Sequence, residues 1–256
     1  MQVKVLGAHN TESRNTRHTC LLVDDILALD AGGLTSSLSF KNQMKVKAVF
    51  LTHAHYDHIR DIPALAINLF LRKRSIDIYT HQAVYDIITQ HLLNGKMYPE
   101  YHKKPIDNPT LRLHLVEPFQ ELNIEGYRIL PVPVAHAIPA LGYQVTSSDN
   151  KTLLYTGDTG AGISRLWEHI SPQVLFIELT ASNRWEQAVK DNGHLTPNLL
   201  SQELKMIREI RGSLPRIFAV HINPDAEDEI RTEASQVAES SGASISLARK
   251  GQRIQI

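Results

Sequence analysis

The sequence predicts a mixed α/β (α+β) fold of packed layers, on three observations. Short β-rich runs outnumber helical patterns, the helical patterns punctuate both halves of the chain, and 256 residues at 42% hydrophobic content suffice for one large core. The reading is therefore one domain over residues 1–256.

The elements follow in order. "MQVKVLG", "TCLLVDD", "ILALDAG" and "VKAVFLT" are short β-rich stretches, each ending in Gly, Asp or Thr turn chemistry, and read as strands. Then comes "THAHYDH", and after it "IPALAINLFLRK", where Ile62, Leu65, Ala66, Leu69 and Phe70 recur at helical spacing and Pro63 suits a first turn. The histidine-rich stretch thus lies between a buried strand and a helix. Residues 72–118 hold a basic knot "RKR", a strand "IDIYT", a helix around "AVYDIITQHLL" and a turn-rich loop "NGKMYPEYHKKPIDNP" that reads as a lid. Strands resume at "LRLHLVE", "YRILPVPVAH", "LGYQVTS", "KTLLYTGD", "VLFIELT" and "RIFAVHI", with helices at "LLSQELKMIREI" and "DEIRTEASQVAESS". No fixed-period repeat or low-complexity tract interrupts them.

Composition excludes several classes. Lys plus Arg and Asp plus Glu balance at 27 each, so no global field draws the chain to nucleic acid or to an anionic membrane. No run approaches the roughly 18 apolar residues of a membrane span, and "MQVKVLGAHN" lacks a signal-peptide core; a soluble, cytoplasmic protein is expected. Cys20 is the only cysteine, so any metal here is bound by nitrogen and oxygen.

Of the 13 histidines, His81, His91, His102, His114 and His169 lie in polar or helical surroundings and receive no role, and His9 and His18 stay undecided. His53 and His55, two apart in extended chain, point the same way and can share one ion; Asp57 and His58 follow as the chain turns into the helix and can face a second. Further donors stand at strand ends: His136 after "ILPVPVA", Asp158 after "TLLYTG" and His221 after "RIFAV". Neutral imidazole suits zinc and similar first-row ions, and a carboxylate can bridge two cations. Two divalent ions bring about four positive charges, of which two aspartates and a bridging hydroxide offset three, a residue that favours a singly anionic substrate.

These residues resemble the metallo-β-lactamase superfamily, whose signature is H-x-H-x-D-H followed by His, Asp and His. The resemblance runs from "KVLGAHN" to "AVHINP" and implies an αββα sandwich, two mixed sheets flanked by helices, with a dinuclear site on one edge. It implies His53, His55 and His136 for a first metal, Asp57, His58 and His221 for a second, and Asp158 between them. Two divalent ions are implied, Zn2+ first, with Mn2+ or Fe2+ as alternatives. His55 stands where flavodiiron oxidoreductases use an acidic residue, and Asp158 where the lactamases use cysteine; both departures point to the other hydrolases.

A second segment, "LFIELTASNRWEQAVKDNGHLTPNLLSQEL", resembles the "IE(T/S)...GHL(S/T)P" pattern of class II cyclic nucleotide phosphodiesterases and the "HEA...GHST" pattern of tRNA 3'-end processing ribonucleases. A departing sugar oxygen needs a proton, and a histidine oriented by a carboxylate can supply it. Glu178 and His194 are the candidates, and with Asp57 they form the expected catalytic set. The expected activity is hydrolysis of a cyclic nucleotide or similar small anionic phosphodiester. A tRNA-processing endoribonuclease is the alternative, because "LGAHNTESRN" resembles the N-terminal segment of those enzymes; balanced charge and the lack of an obvious Gly- and Lys-rich arm argue against it. Arg72, Lys73, Arg74, Lys103 and Lys104 could form a local basic patch for RNA, although a solvated face explains them better. Acyl hydrolysis of a lactone or thioester uses the same metals but leaves "GHLTP" unexplained, and an inactive metal-binding scaffold leaves the complete ligand set unexplained. A homodimer is compatible with the resemblance.

Overall fold

The computed structural model describes residues 1–256. Fourteen strands form two seven-stranded sheets. In the first, the order is β14 (Arg253–Gln255), β1 (Gln2–Gly7), β2 (Cys20–Val23), β3 (Leu27–Leu29), β4 (Ala48–Phe50), β5 (Ile76–Thr80) and β6 (Leu111–Leu115). In the second it is β13 (Ile245–Leu247), β12 (Arg216–Val220), β11 (Val174–Glu178), β10 (Thr152–Tyr155), β9 (Leu141–Thr146), β8 (Tyr127–Pro133) and β7 (Leu122–Ile124). Both sheets are mixed: β3 to β6 run parallel, as do β10 to β13, and the remaining pairs are antiparallel.

The layering follows from the period-two alternation of strands whose two faces are both apolar. In β4, Ala48 and Phe50 face the layer between the sheets, while Val49 and the following Leu51 face an outer layer. In β11 and β12, Val174, Phe176, Phe218 and Val220 enter the inter-sheet core, and Leu175, Ile177, Ile217 and Ala219 face the opposite helices. Three apolar clusters result, one between the sheets and one beneath each helical layer. Helix Ile62–Phe70 covers the first sheet with Ile62, Leu65, Ala66 and Leu69. Helices Pro197–Arg211 and Glu227–Ser241 cover the second. The sandwich is αββα, as expected.

Several short elements escape the sequence reading. β7, β13 and β14 have three residues each, and the turns of helix at Leu34–Ser37 and Phe40–Gln43 have four, too few to show a period. The helix at Gln82–Ile87 continues as a π-helical turn over Ile88–Leu92. The 95–110 loop is anchored: Tyr101 is buried, packs on Phe70 with ring centroids 5.0 Å apart, and joins the core of the first helical layer.

Phe50 sits at the centre of the inter-sheet core, fully buried and packed on Tyr79 and Tyr143 at 5.0 and 5.4 Å between centroids. Phe50→Ala should lower stability by about 3–5 kcal/mol, read from the midpoint of urea unfolding. A loss under about 1 kcal/mol would contradict this placement.

Candidate metal centre

Parallel strands deliver their C-terminal ends to one edge, and the polar residues that follow them collect there. Asp30 follows β3, His53 follows β4, Asp158 follows β10, Glu178 closes β11, and His221 follows β12. The two sheets are tied at this edge. The Leu141 amide donates to the Thr52 carbonyl at 2.9 Å, the Tyr143 hydroxyl to the Leu51 carbonyl at 2.8 Å, and the Tyr155 hydroxyl to Asp30 at 2.7 Å.

The signature stretch is half extended and half helical. His55 is extended (φ −62°, ψ 143°) at the N-cap of a single turn, Tyr56–Ile59, so His53 and His55 leave on one side and Asp57 and His58 turn beneath them. All seven residues expected as metal donors come together. Donor atoms of His53, His55, His136 and Asp158 form one group within 4.8 Å of one another, and those of Asp57, His58 and His221 form a second. Asp158 joins the groups: its Oδ2 is 3.5 Å from His53 Nε2 and 3.4 Å from His221 Nε2, and its Oδ1 is 3.2 Å from His58 Nε2. His194 completes a third group with Asp158 and His221.

Proton accounting tests whether this set suits cations. Thr52 Oγ1 lies 2.9 Å from Asp30 Oδ2, so its proton goes to the carboxylate and the oxygen accepts from His53 Nδ1 at 3.0 Å. Thr180 Oγ1, 2.6 Å from Glu178 Oε2, likewise donates there and accepts from His221 Nδ1 at 2.8 Å. His58 Nδ1 donates to Asp30 at 2.7 Å and His136 Nδ1 to the Gly193 carbonyl at 3.0 Å. In all four rings the outer nitrogen is spoken for, and the bare Nε2 faces inward with the carboxylates. His53 Nε2 and His136 Nε2 each lie 3.1 Å from His55 Nδ1, and His58 Nε2 and Asp158 Oδ1 are buried with no hydrogen-bond partner. A buried gathering of lone pairs needs positive charge at its centre, so the donor set fits divalent ions bound by nitrogen and oxygen.

Charge perturbations agree. Burial, reinforced by neighbouring histidines, lowers the His53 pKa well below its ordinary value and keeps the ring neutral. Burial raises the Asp158 carboxyl, but His221, His58 and His53 outweigh it and hold the group well below the usual carboxylate range. Asp57 behaves alike, with the neighbouring His221 and His58 overcoming burial. For His58 burial lowers the pKa, but Asp158 and Asp30 raise it well above its ordinary value, so a divalent ion competes with a proton there.

Glu178 and His194 form the expected pair. Glu178 is fully buried and accepts from His194 Nδ1 at 2.7 Å, from the Thr180 hydroxyl, and from the amides of Thr159, Thr180 and Leu195. His194 keeps 18% of its side chain exposed and stacks beside His221, with centroids 5.6 Å apart. Burial lowers its pKa, but the Glu178 hydrogen bond and charge prevail and push it up to about 9. Its folded pKa thus exceeds the ordinary value of 6.5, so this pair's contribution to stability is complete below about pH 6.5 and is lost as pH rises through about 9. "GHLTP" also has a backbone reason. Gly193 lies at φ +72°, and a Cβ there would meet His136 Cα at 2.8 Å, so only glycine lets its carbonyl orient His136.

Two contributors lie outside the sequence-based set. Asp30, fully buried at φ +58°, accepts from the Thr52 amide and hydroxyl, from His58 and from Tyr155. An aspartate immediately after the apolar "LAL" was a signal of the same kind that singled out Asp158. Thr180 is the other, two residues past Glu178. His221 takes φ +56°, an unusual state for a non-glycine residue, which aims its ring inward from the strand end. The histidines given no role stay outside the cluster: His114 pairs with Asp77 at 2.7 Å and His81 meets the Thr52 carbonyl at 3.3 Å. Of the undecided two, His9 pairs with Glu227 at 3.2 Å and His18 lies half-buried near Asp57 and Glu12.

This edge geometry on an αββα sandwich is that of metallo-β-lactamase-fold hydrolases. The chain belongs to the β-lactamase superfamily, whose domain matches residues 29–222. Ribonuclease Z of Pyrococcus abyssi is 27% identical over 151 residues, which is 57% of this chain and 47% of that protein. A probable 3',5'-cyclic-nucleotide phosphodiesterase of Yersinia pestis is 24% identical over 209 residues, 71% of this chain and 58% of that protein. The chain thus spans about half the length of the curated relatives it matches. Among solved structures, yeast PDE1 superposes with a TM-score of 0.84 at 16% identity, covering 100% of this chain and 99% of that one. The metallo-β-lactamase-fold protein YhfI of Bacillus subtilis gives 0.78 at 20% identity, covering 99% and 98%.

Asp30→Asn keeps the shape and removes the charge that orients His58. Metal affinity, measured by chelator competition, should fall about 10–100-fold, and unchanged affinity would remove Asp30 from the centre's support. Glu178→Gln should bring the His194 titration down from about 9 toward its ordinary range, followed by NMR of the imidazole. A titration that stays near 9 would show that the carboxylate does not set it.

Proposed function

We propose that residues 1–256 form one hydrolase domain that cleaves a cyclic nucleotide or a similar small phosphodiester with two divalent ions, zinc in the first place. The observation that carries this reading is His194, oriented by the buried Glu178 at 2.7 Å and beside both donor groups. His53, His55 and His136 would hold one ion, Asp57, His58 and His221 the other, with Asp158 between them. When bound, the ions supply an activated water and counter-charge for the phosphate oxygens.

The chain's own residues do the rest. His194 is anchored through Nδ1, which leaves Nε2 to give a proton to the departing sugar oxygen. Glu178 stabilises the imidazolium beforehand and cannot itself be drawn away, because four other hydrogen bonds fix it. Asp57, with its Oδ2 3.0 Å from His221 Nε2, would orient a water held at the centre. Acyl transfer from a thioester, whose leaving group is a good one, would make little use of such a pair.

The second reading, RNA processing, is supported by the several ribonuclease Z relatives. Against it stands the balance of 27 basic and 27 acidic residues, and part of the basic patch is engaged elsewhere: Lys103 pairs with Glu100 and Arg72 lies over the Phe40 ring. A steep fall of RNA affinity with salt would favour this reading.

His194→Ala should slow hydrolysis of a cyclic nucleotide by about 100-fold or more, while bis(p-nitrophenyl) phosphate, whose leaving group needs little protonation, should lose far less. Equal losses on the two substrates would remove His194 from the acid role. Preference for a thioester or lactone over both would overturn the phosphodiesterase reading.

A further inference from the structure

Helix Ile62–Phe70 begins just after the signature turn, and its nine residues carry the chain about 12 Å along the helix axis from its start. At its far end the Lys73 amide donates to the Phe70 carbonyl and the Arg74 amide to the Leu69 carbonyl, both at 3.0 Å, the paired bonds that commonly stop a helix. Lys73 takes the left-handed position of that stop, at φ +52°, where glycine is the usual residue. Arg74 takes the next, where an apolar side chain commonly packs back on the helix. Two cations thus stand at one helix end in positions that local propensity would give to other residues.

Both line a cavity of about 540 Å³, together with Phe70, Leu71, Pro105 and Thr110. No carboxylate is among its walls, and neither Lys73 nor Arg74 makes an ion pair. Lys104, whose carbonyl accepts from the Thr110 amide at 2.9 Å, is unpaired as well. The bordering segments, 70–77 and 100–110, hold three acids. Asp77 is engaged by Arg112 and His114, each at 2.7 Å, and Glu100 by Lys103 at 2.6 Å. Exposed Asp107 alone is left free, and Lys73, Arg74 and Lys104 outnumber it. The apolar walls are also open, with Phe70 39% and Leu71 68% exposed.

We infer that this cavity is a binding site, separate from the metal centre, for an anionic amphiphile: a molecule with an acidic head and an apolar chain. Lys73 and Arg74 would receive the head, and Phe70 and Leu71 the chain. Large apolar side chains left open beside unpaired cations lack both an apolar and an anionic partner, and an amphiphile supplies the two together. The volume lies within the range of roughly 300–1,000 Å³ that holds a small ligand. A nucleic-acid backbone would use the cations but leave Leu71 idle, since an aliphatic side chain offers no face for base stacking. The inference is independent of the reaction at the centre.

The zinc-loaded protein tests this with octanesulfonate below its micelle-forming concentration, against methanesulfonate, which has the head alone, and octyl glucoside, which has the chain without charge. By calorimetry octanesulfonate should bind one to a chain and the other two at least about ten-fold more weakly; hexanesulfonate, shorter by two CH2 groups, should also lose about ten-fold. Arg74→Glu and Leu71→Ser should each weaken octanesulfonate about ten-fold. Lys73→Gly guards against a folding defect, because glycine suits φ +52°: it should unfold at no lower urea concentration than the parent and still bind less tightly. Vesicles of phosphatidylcholine with and without phosphatidylglycerol separate two sources of the same chemistry. Sedimentation with the anionic vesicles, lost in the same variants, upholds a lipid held in a bilayer, and octanesulfonate binding without sedimentation upholds a free amphiphile. Absent octanesulfonate binding, equal binding of octyl glucoside, or affinity unchanged in all three variants overturns the inference. So does RNA binding that falls with Arg74→Glu but not with Leu71→Ser in a protein that ignores octanesulfonate.

Discussion

The carboxylate of Asp30 is the point on which this edge of the molecule depends. Fully buried, it accepts hydrogen bonds from Thr52 in its own sheet, from Tyr155 in the opposite sheet, and from His58 in the signature turn. A buried carboxylate without such partners would cost several kcal/mol, so the three elements that satisfy it are held together by the same charge. One group thereby sets the approach of the two sheets, the position of the histidine turn and the tautomer of His58.

The same logic repeats around the centre. The inward Nε2 atoms of His53, His58, His136 and His221 are each matched by an outward hydrogen bond to a side chain or carbonyl that is itself held: Thr52 by Asp30, Thr180 by Glu178, Gly193 through a backbone state only glycine adopts freely. Rigidity comes from completed proton accounting rather than from packing alone. Glu178 serves twice, aligning His194 directly and His221 through Thr180, so the expected proton donor and one expected metal ligand share a single buried support.

Around this fixed core the surroundings are asymmetric. Beside His136 a cavity is lined by Lys190, Asp191 and small residues; a separate cavity is walled by Tyr56, Met97 and Tyr98. The superfamily places many chemistries on one sandwich, and fold alone does not choose among them. In this chain the donor cluster is accompanied by the buried Glu178–His194 pair.

Much of this was legible in the sequence because its signals are local. Period-two runs such as "VKAVFLT" predict strands, and the spacing of "HAHYDH" predicts donors on one side of a turn whatever surrounds them. His136, Asp158, Glu178 and His221 were legible for a related reason, since each follows an apolar run whose burial forces its end into a loop. Three-residue strands such as β14 were not, because they exist only through partners distant in sequence. Nor were Asp30 and Thr180 as supports, since their roles depend on Tyr155 and His221, 125 and 41 residues away. The sequence by itself determined which side chains could hold metal and where each leaves its strand, because strand alternation and strand ends are short-range properties. Only the tertiary structure decided which nitrogen of each ring faces inward and which cavity adjoins the centre, because both are set by hydrogen bonds and packing between segments that meet only when the sheets close on each other.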